Sequence, residues 1–468
     1  MPTRSHSARP AGSDAPQDRR PGRTRLARAG VALPTAAVLA LLATGCTDNV
    51  QDASGPAGSA SASAPTFTIT DDDCSLSTST VPGGVLTVTV TNKGSVPNEF
   101  EILTENKLQI VGEKENIGPG VTTTFTTALE QGTYYTACKP NMVGALKGVA
   151  KLTVTAGSGA AIDADTAALE AKAITNYTSY VKDQVGQLVT QTQAFTKAYT
   201  GGDTAKAREL YPVARSHYER IEPTAEAFGI KEAGDLDTAL DLRVQDLAAD
   251  AGKKVSDPAV LKSWTGWHRI EADLFSADGS AFKFASEADR KAAADQLNKD
   301  TQSLYDLVYG KIDGASGKFK LKLTDVVTGA SSLLEEVATS KIVGEEETFS
   351  HTDLSDFKAN VEGAEVAYGN VAALVKKADA DLDAEVAQSF KDLNSLLAKY
   401  QDGKDSMGNV KYVDYSTIAA VQKDAGEAPK DAGEAPKDSA YTKAQRTFSD
   451  EVNVASEALG KVPGTILH

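Results

Sequence analysis

Histidine is scarce in this chain, and most of it sits among carboxylates. The 468 residues contain five histidines: His6, His217, His268, His351 and His468. Three of them fall in short polar blocks: Ser216-His217-Tyr218-Glu219-Arg220-Ile221-Glu222, Gly266-Trp267-His268-Arg269-Ile270-Glu271, and Gly344-Glu345-Glu346-Glu347-Thr348-Phe349-Ser350-His351-Thr352-Asp353. His268 and Glu271 are three apart, so on a helix they leave the same face and can share one ion; Glu219 and Glu222 repeat that spacing. Carboxylate-rich ligation with an occasional imidazole suits iron, manganese or zinc, with iron favoured as oxygen dominates. The competing reading is structural. The block around His268 also holds both tryptophans, and a Trp/Leu/Phe-rich helix with one hydrogen-bonded histidine is ordinary core.

Other chemistries find no template. The zinc-peptidase pattern His-Glu-x-x-His needs Glu where Arg269 stands, and the inverted pattern His-x-x-Glu-His needs His where Ala272 stands. There is no Gly-x-Ser-x-Gly elbow, no phosphate loop, and no cysteine after Cys138 to act as a nucleophile.

The elements that must position these residues can be read from composition and periodicity. The net charge is −16; residues 1–45 carry +5, which leaves −21 on the rest. So acidic a body repels nucleic acid and offers hard oxygen ligands to cations. An Arg-rich start runs into the apolar stretch Val31–Ala43, too short to span a bilayer as a mature helix, and ends at Leu42-Ala43-Thr44-Gly45-Cys46. Small residues just before a cysteine look like a bacterial lipobox. The expectation is therefore a signal peptide over 1–45, lipidation at Cys46, export, and a lipid anchor on the outer face of the cytoplasmic membrane. Residues 46–66 read as a flexible Ser/Ala/Gly tether. In that compartment Cys74 and Cys138 form a disulfide by default, with metal ligation as the alternative.

Residues 67–156 alternate at period two in short runs separated by Pro82-Gly83-Gly84, Asn92-Lys93-Gly94 and Gly118-Pro119-Gly120, which predicts a Greek-key β-sandwich. After Gly157-Ser158-Gly159 the pattern is helical to the C-terminus, with apolar residues three and four apart. Residues 160–468 are expected to form an all-α domain of two bundles, about 160–315 and 320–468. The tandem repeat Asp424–Lys430 and Asp431–Lys437 reads as a solvated loop, since each copy carries a helix-breaking Gly and Pro.

Three blocks, Tyr218–Pro223, Gly266–Glu271 and Ser350–Gly363, resemble the signature segments of the EfeO family. The order of the domains is similar too: a cupredoxin-like sandwich before an imelysin-type helical domain. The resemblance implies an exported iron-binding protein that captures iron and delivers it to a membrane permease, with a haem-dependent peroxidase as a further partner. It assigns the iron site to His268 and Glu271, supported by Glu219, Glu222 and Asp241, and most weakly by Glu345 and Glu346. For the sandwich it implies a variant metal site at Cys74, Glu99 and Cys138, with Met142 as an axial thioether, taking copper or iron. A blue-copper centre is impossible there, because no histidine lies between His6 and His217. The disulfide and the metal-ligand readings of Cys74 and Cys138 both stand at this point. Two other functions are open: a metallopeptidase-like hydrolase working through His268 and Glu271, and a structural surface lipoprotein. Binding and delivery need no catalysis.

Overall fold

The computed structural model describes residues 64–141, 145–157, 162–314, 319–420 and 441–467. The expected signal peptide, Cys46, most of the tether, Met142 and the tandem repeat lie outside them.

Nine strands build the sandwich: β1 (Thr66–Ile69), β2 (Cys74–Leu76), β3 (Thr80–Pro82), β4 (Gly84–Asn92), β5 (Asn98–Leu103), β6 (Ile110–Ile117), β7 (Thr122–Leu129), β8 (Gly132–Pro140) and β9 (Lys147–Thr155). They form two sheets, ordered β2-β1-β4-β7 and β3-β9-β8-β5-β6. Alternation drives this. In β4, Leu86, Val88 and Val90 point inward, and they meet Phe100, Ile102 and Leu152 of the other sheet. Phe67 and Phe100 pack across the sheets with ring centroids 4.4 Å apart. Strand β6 was not legible in advance, because Glu113, Lys114 and Glu115 break the apolar pattern. Charge on a strand at the edge of a sheet is a common protection against mispairing.

Strand β5 is buried on both faces. Its Phe100 and Ile102 face the sandwich core, so Glu99 and Glu101 necessarily face the other way, towards the helices.

The helical part comprises α1 (Ala164–Thr200), α2 (Thr204–Glu219), α3 (Leu236–Asp241), α4 (Val244–Ala251), α5 (Pro258–Ser263), α6 (Trp267–Phe275), α7 (Glu287–Val308), α8 (Leu323–Thr339), α9 (Asp353–Ala378), α10 (Ala380–Ala398), α11 (Lys443–Gly460) and α12 (Val462–Ile466). Helix α1 is about 55 Å long at 1.5 Å per residue. Its N-terminus is capped by Asp163, whose carboxylate accepts from the Thr166 amide at 2.9 Å. Helix α1 packs along both α7 and α9, and a single apolar core runs from Ala173 to Ile466. The two sets of helices expected on either side of residue 320 therefore share one core. A smaller core forms around Val244, Val260, Trp264 and Phe282, so the two tryptophans serve different cores: Trp264 this one, Trp267 the main one.

Helix α8 is the joint of the molecule. It packs on α9 and α11 and also on β6, where Lys114 pairs with Glu335. Gly329 lets the turn at Pro223 come close, since a Cβ there would lie 1.7 Å from the Pro223 carbonyl oxygen. No described helix is long and apolar enough to cross a membrane.

Candidate metal centre

Helix α6 places the central imidazole. It begins at Gly266, whose φ of 86° and close approach to the Leu240 carbonyl (2.2 Å from an ideal Cβ) exclude a side chain. That approach sets the start of α6 against the end of α3, and so brings His268 beside Asp241. The loop after α8 supplies the third member, Glu346. His268 Nε2 lies 3.3 Å from Asp241 Oδ1 and 3.3 Å from Glu346 Oε1. The ring is 2 % exposed, and Nε2 is aligned to donate to neither carboxylate. Asp241, His268 and Glu346 each present one ligand atom, all within 4.8 Å of one another. A buried imidazole nitrogen facing two carboxylates is a donor set that suits a cation.

Glu271 stands behind the ring. Its Oε2 is 3.3 Å from His268 Nδ1, while its Oε1 accepts from the backbone amides of Phe349 (2.9 Å) and Ser350 (2.7 Å). The helical spacing does put both side chains on one face, but Glu271 meets the nitrogen opposite the open one. It is therefore placed to orient the imidazole from behind, as carboxylates commonly do behind a metal-binding histidine.

Around this centre lies a buried ion network. The guanidinium of Arg215 on α2, fully buried, pairs with Glu219 and Asp241 and reaches Glu346 (3.0 Å), Glu347 (2.8 Å) and Asp356 (3.2 Å). Lys341, also fully buried, lies 2.6 Å from Glu222, 3.4 Å from Glu219 and 3.6 Å from Glu346. Asn360 donates to Glu219 (2.9 Å) and Glu222 (2.6 Å). Arg243 reaches Glu346 at 3.0 Å. Glu219 and Glu222 are thus close to the centre but held by Arg215, Lys341 and Asn360, one step back from the imidazole.

The electrostatics divide the carboxylates. Burial opposes the charge on Asp241, but Arg215 and His268 outweigh it and hold that carboxyl well below the usual range. Glu346 is likewise held far down, by Lys341, Arg243 and His268 against burial. Glu347 goes the other way: burial and the Glu271 charge push it up to about 8. Burial pushes Glu345 to about 7. Burial and Arg215 oppose protonation of His268, yet Asp241 and Glu271 hold it well above its ordinary value. Without a cation the centre keeps a proton on the imidazole; with one, Nε2 would exchange that proton for the metal.

Not every expected residue joins. His217 points away from Arg215 on α2 and its Nδ1 sits 2.9 Å from Gln184 Oε1; burial lowers it to about 4, so the ring is neutral. His351 occupies the left-handed region (φ 56°), with its backbone amide bonded to the Glu347 carbonyl. In the sandwich, Cys74 and Cys138 are joined as a disulfide, with Cα atoms 6.3 Å apart. The two sulfurs are therefore unavailable as thiolates. Glu99 also cannot join them: Cys138 is paired with Phe100 on the core side of the sheet, and Glu99 emerges on the opposite side. This corrects the expected Cys74/Glu99/Cys138 site.

Comparison with known proteins places the chain. Residues 173–435 match the family described as imelysin, and residues 35–154 match the cupredoxin-like domain. The fold and the site define a two-domain protein of cupredoxin-like and imelysin modules. The chain is 38 % identical over 365 residues to the iron uptake system component EfeO of Yersinia pseudotuberculosis, covering 78 % of this chain and 86 % of that protein. Its identity to EfeO from an Escherichia coli strain is 36 % over 364 residues, or 77 % and 86 % of the two chains. The chain belongs to the EfeO family.

Proposed function

We propose that this protein is an exported iron-binding component of an iron uptake system, which captures iron at His268, Asp241 and Glu346 and passes it to a membrane permease. One observation carries the reading: a buried imidazole nitrogen without a hydrogen bond, 3.3 Å from two carboxylates and oriented from behind by a third. Relatives named as iron uptake components support iron as the cargo, and one nitrogen among oxygens suits it chemically. With both cysteines in a disulfide, the sandwich offers no thiolate to a soft metal, so copper has no support there. Lipidation at Cys46 would hold the protein at the outer face of the membrane, near the permease and a haem-dependent peroxidase of the same system.

The test is calorimetric titration of iron(II), without oxygen, into the wild type and into His268→Ala combined with Glu346→Gln. Saturable binding by the wild type and its loss in the double variant is expected. Unchanged affinity in the variant would overturn the site, and no binding by the wild type would overturn the function.

A further inference from the structure

The carboxylates in front of His268 open onto a cavity of about 290 Å³ between the sandwich and the helices. Asp241 and Glu346 belong to its lining, and His268 stands behind them. The described lining holds ten acidic side chains against two basic ones, Lys139 and Arg243. Walls of one sign concentrate the opposite ion, so cations gather before the centre. Arg243 sits where the cavity meets it. Its Nη1 is 3.0 Å from Glu346 Oε2, while Oε1 of the same carboxylate faces His268.

Three basic side chains besides His268 reach Glu346, and they are not alike. Arg215 and Lys341 are fully buried, whereas the Arg243 side chain is 24 % exposed. Arg243 also has acceptors to spare: Nε lies 3.0 Å from Asp246, and Nη1 lies 3.4 Å from both Glu336 and Glu345. Released from Glu346, the guanidinium keeps three counter-charges within reach, so its movement strands no buried charge. Withdrawing Arg215 or Lys341 would. The Arg243 backbone is meanwhile fixed at the N-terminus of α4, because the preceding Leu242 carbonyl accepts from Trp264 Nε1 at 2.6 Å. The side chain is the part left to move. A divalent cation arriving at Glu346 repels the guanidinium and replaces it as the counter-charge.

We propose that Arg243 gates the His268 centre: its guanidinium closes the cavity side of Glu346 and turns towards Asp246, Glu336 and Glu345 to let an ion pass. This rests on that centre as the iron site. The gate governs how fast iron is loaded and surrendered, more than how tightly it is held.

The experiment compares wild type, Arg243→Gln and Arg243→Lys without oxygen. Calorimetric titration of iron(II) gives the affinity. Mixing iron-loaded protein with a saturating chromogenic iron(II) chelator gives the release rate, and the two together give the uptake rate. Lysine keeps the charge but lacks the fork that holds Asp246 and Glu346 at once. Both variants should therefore take up and release iron at least about 10-fold faster, since each passage in the wild type breaks a charge-assisted hydrogen bond. The affinity should change less than either rate. Unchanged rates in both variants overturn the gate while the proposed function stands. Faster uptake with slower release in Arg243→Gln, and wild-type rates in Arg243→Lys, would mark a fixed charge acting through its field and overturn the gate too. Faster release with unchanged uptake would reduce Arg243 to orienting Glu346, again overturning it. A wild type that binds no iron removes the centre and the gate together. If Arg243→Gln does not fold, the release and uptake rates of Arg243→Lys decide.

Discussion

Arg215→Met is the sharpest perturbation of the centre. Methionine keeps much of the stem and removes a guanidinium that touches five carboxylates, those of Glu219, Asp241, Glu346, Glu347 and Asp356. Lys341 and Arg243 remain near Glu219 and Glu346, and His268 near Asp241. Glu347 and Asp356 have no other cation within ion-pair distance among the described residues. Removing one partner of a buried pair costs about 3–5 kcal/mol, because the charge left behind is neither solvated nor paired. For a fold of about 400 residues the unfolding entropy is about 0.8 kcal/mol/K, so the melting temperature should fall by about 4–6 °C at pH 7.5. The loss should grow at pH 9, above the value of about 8 at which Glu347 titrates, because its carboxylate is ionised beside Arg215 in the wild type and has lost that counter-charge in the variant. Differential scanning calorimetry of the ion-free protein at both pH values measures this. A loss below about 1 kcal/mol at pH 7.5, or an equal loss at the two pH values, would refute the view that Arg215 is the counter-charge of a buried acidic centre.

The remaining predictions address the ring, the protons and the sandwich. Glu271→Gln should lower iron affinity about 10–100-fold without changing the number of ions bound, because it loosens the imidazole and removes no ligand; isothermal titration checks it, and an altered stoichiometry would mean that Glu271 ligates directly. The ion-free protein should lose stability as pH rises from about 5 to about 8. Glu347 and Glu99 at about 8 and Glu345 and Asp237 at about 7 hold protons more tightly folded than unfolded, so their contribution is complete below pH 4.5 and is lost as pH climbs through those values. Asp241 and Glu346, held low, lose theirs only in strong acid. Melting temperatures that rose between pH 5 and 8 would contradict this. Finally, replacing Cys74 and Cys138 by serine opens a link between residues 64 apart in sequence, for which chain entropy suggests about 4 kcal/mol. Chemical unfolding of oxidised and mutant protein should show that difference, and titration of the oxidised protein should find neither thiol reactive.

Much of the architecture was written in local patterns. Period-two alternation marked six of the strands; β2 and β3, three residues each, are too short to show it, and β6 escaped because it is a charged edge whose pairing partner is needed to recognise it. Period 3.6 marked the long helices, but not that both sets close on one core. That depends on α1 lying against α7 and α9, a contact between segments far apart in sequence.

The same division holds at the centre. The sequence by itself determined which residue types could bind a cation and that His268 and Glu271 share a helical face, since a spacing of three is local geometry. It could not determine which imidazole nitrogen Glu271 would meet. It also could not show that Asp241 and Glu346, 27 residues before and 78 after His268, would stand before the other nitrogen. Those placements follow from Gly266 packing on the end of α3 and from the loop after α8. Likewise, period two dictated that Glu99 and Phe100 point to opposite faces, which is enough to separate Glu99 from Cys138 once Cys138 is known to sit in the core. Only the docking of the sandwich on α8 decided what lies on the far side: a cavity whose opposite wall carries Asp241 and Glu346. Sequence fixes the donors and their local direction; the packing of distant segments decides which of them converge.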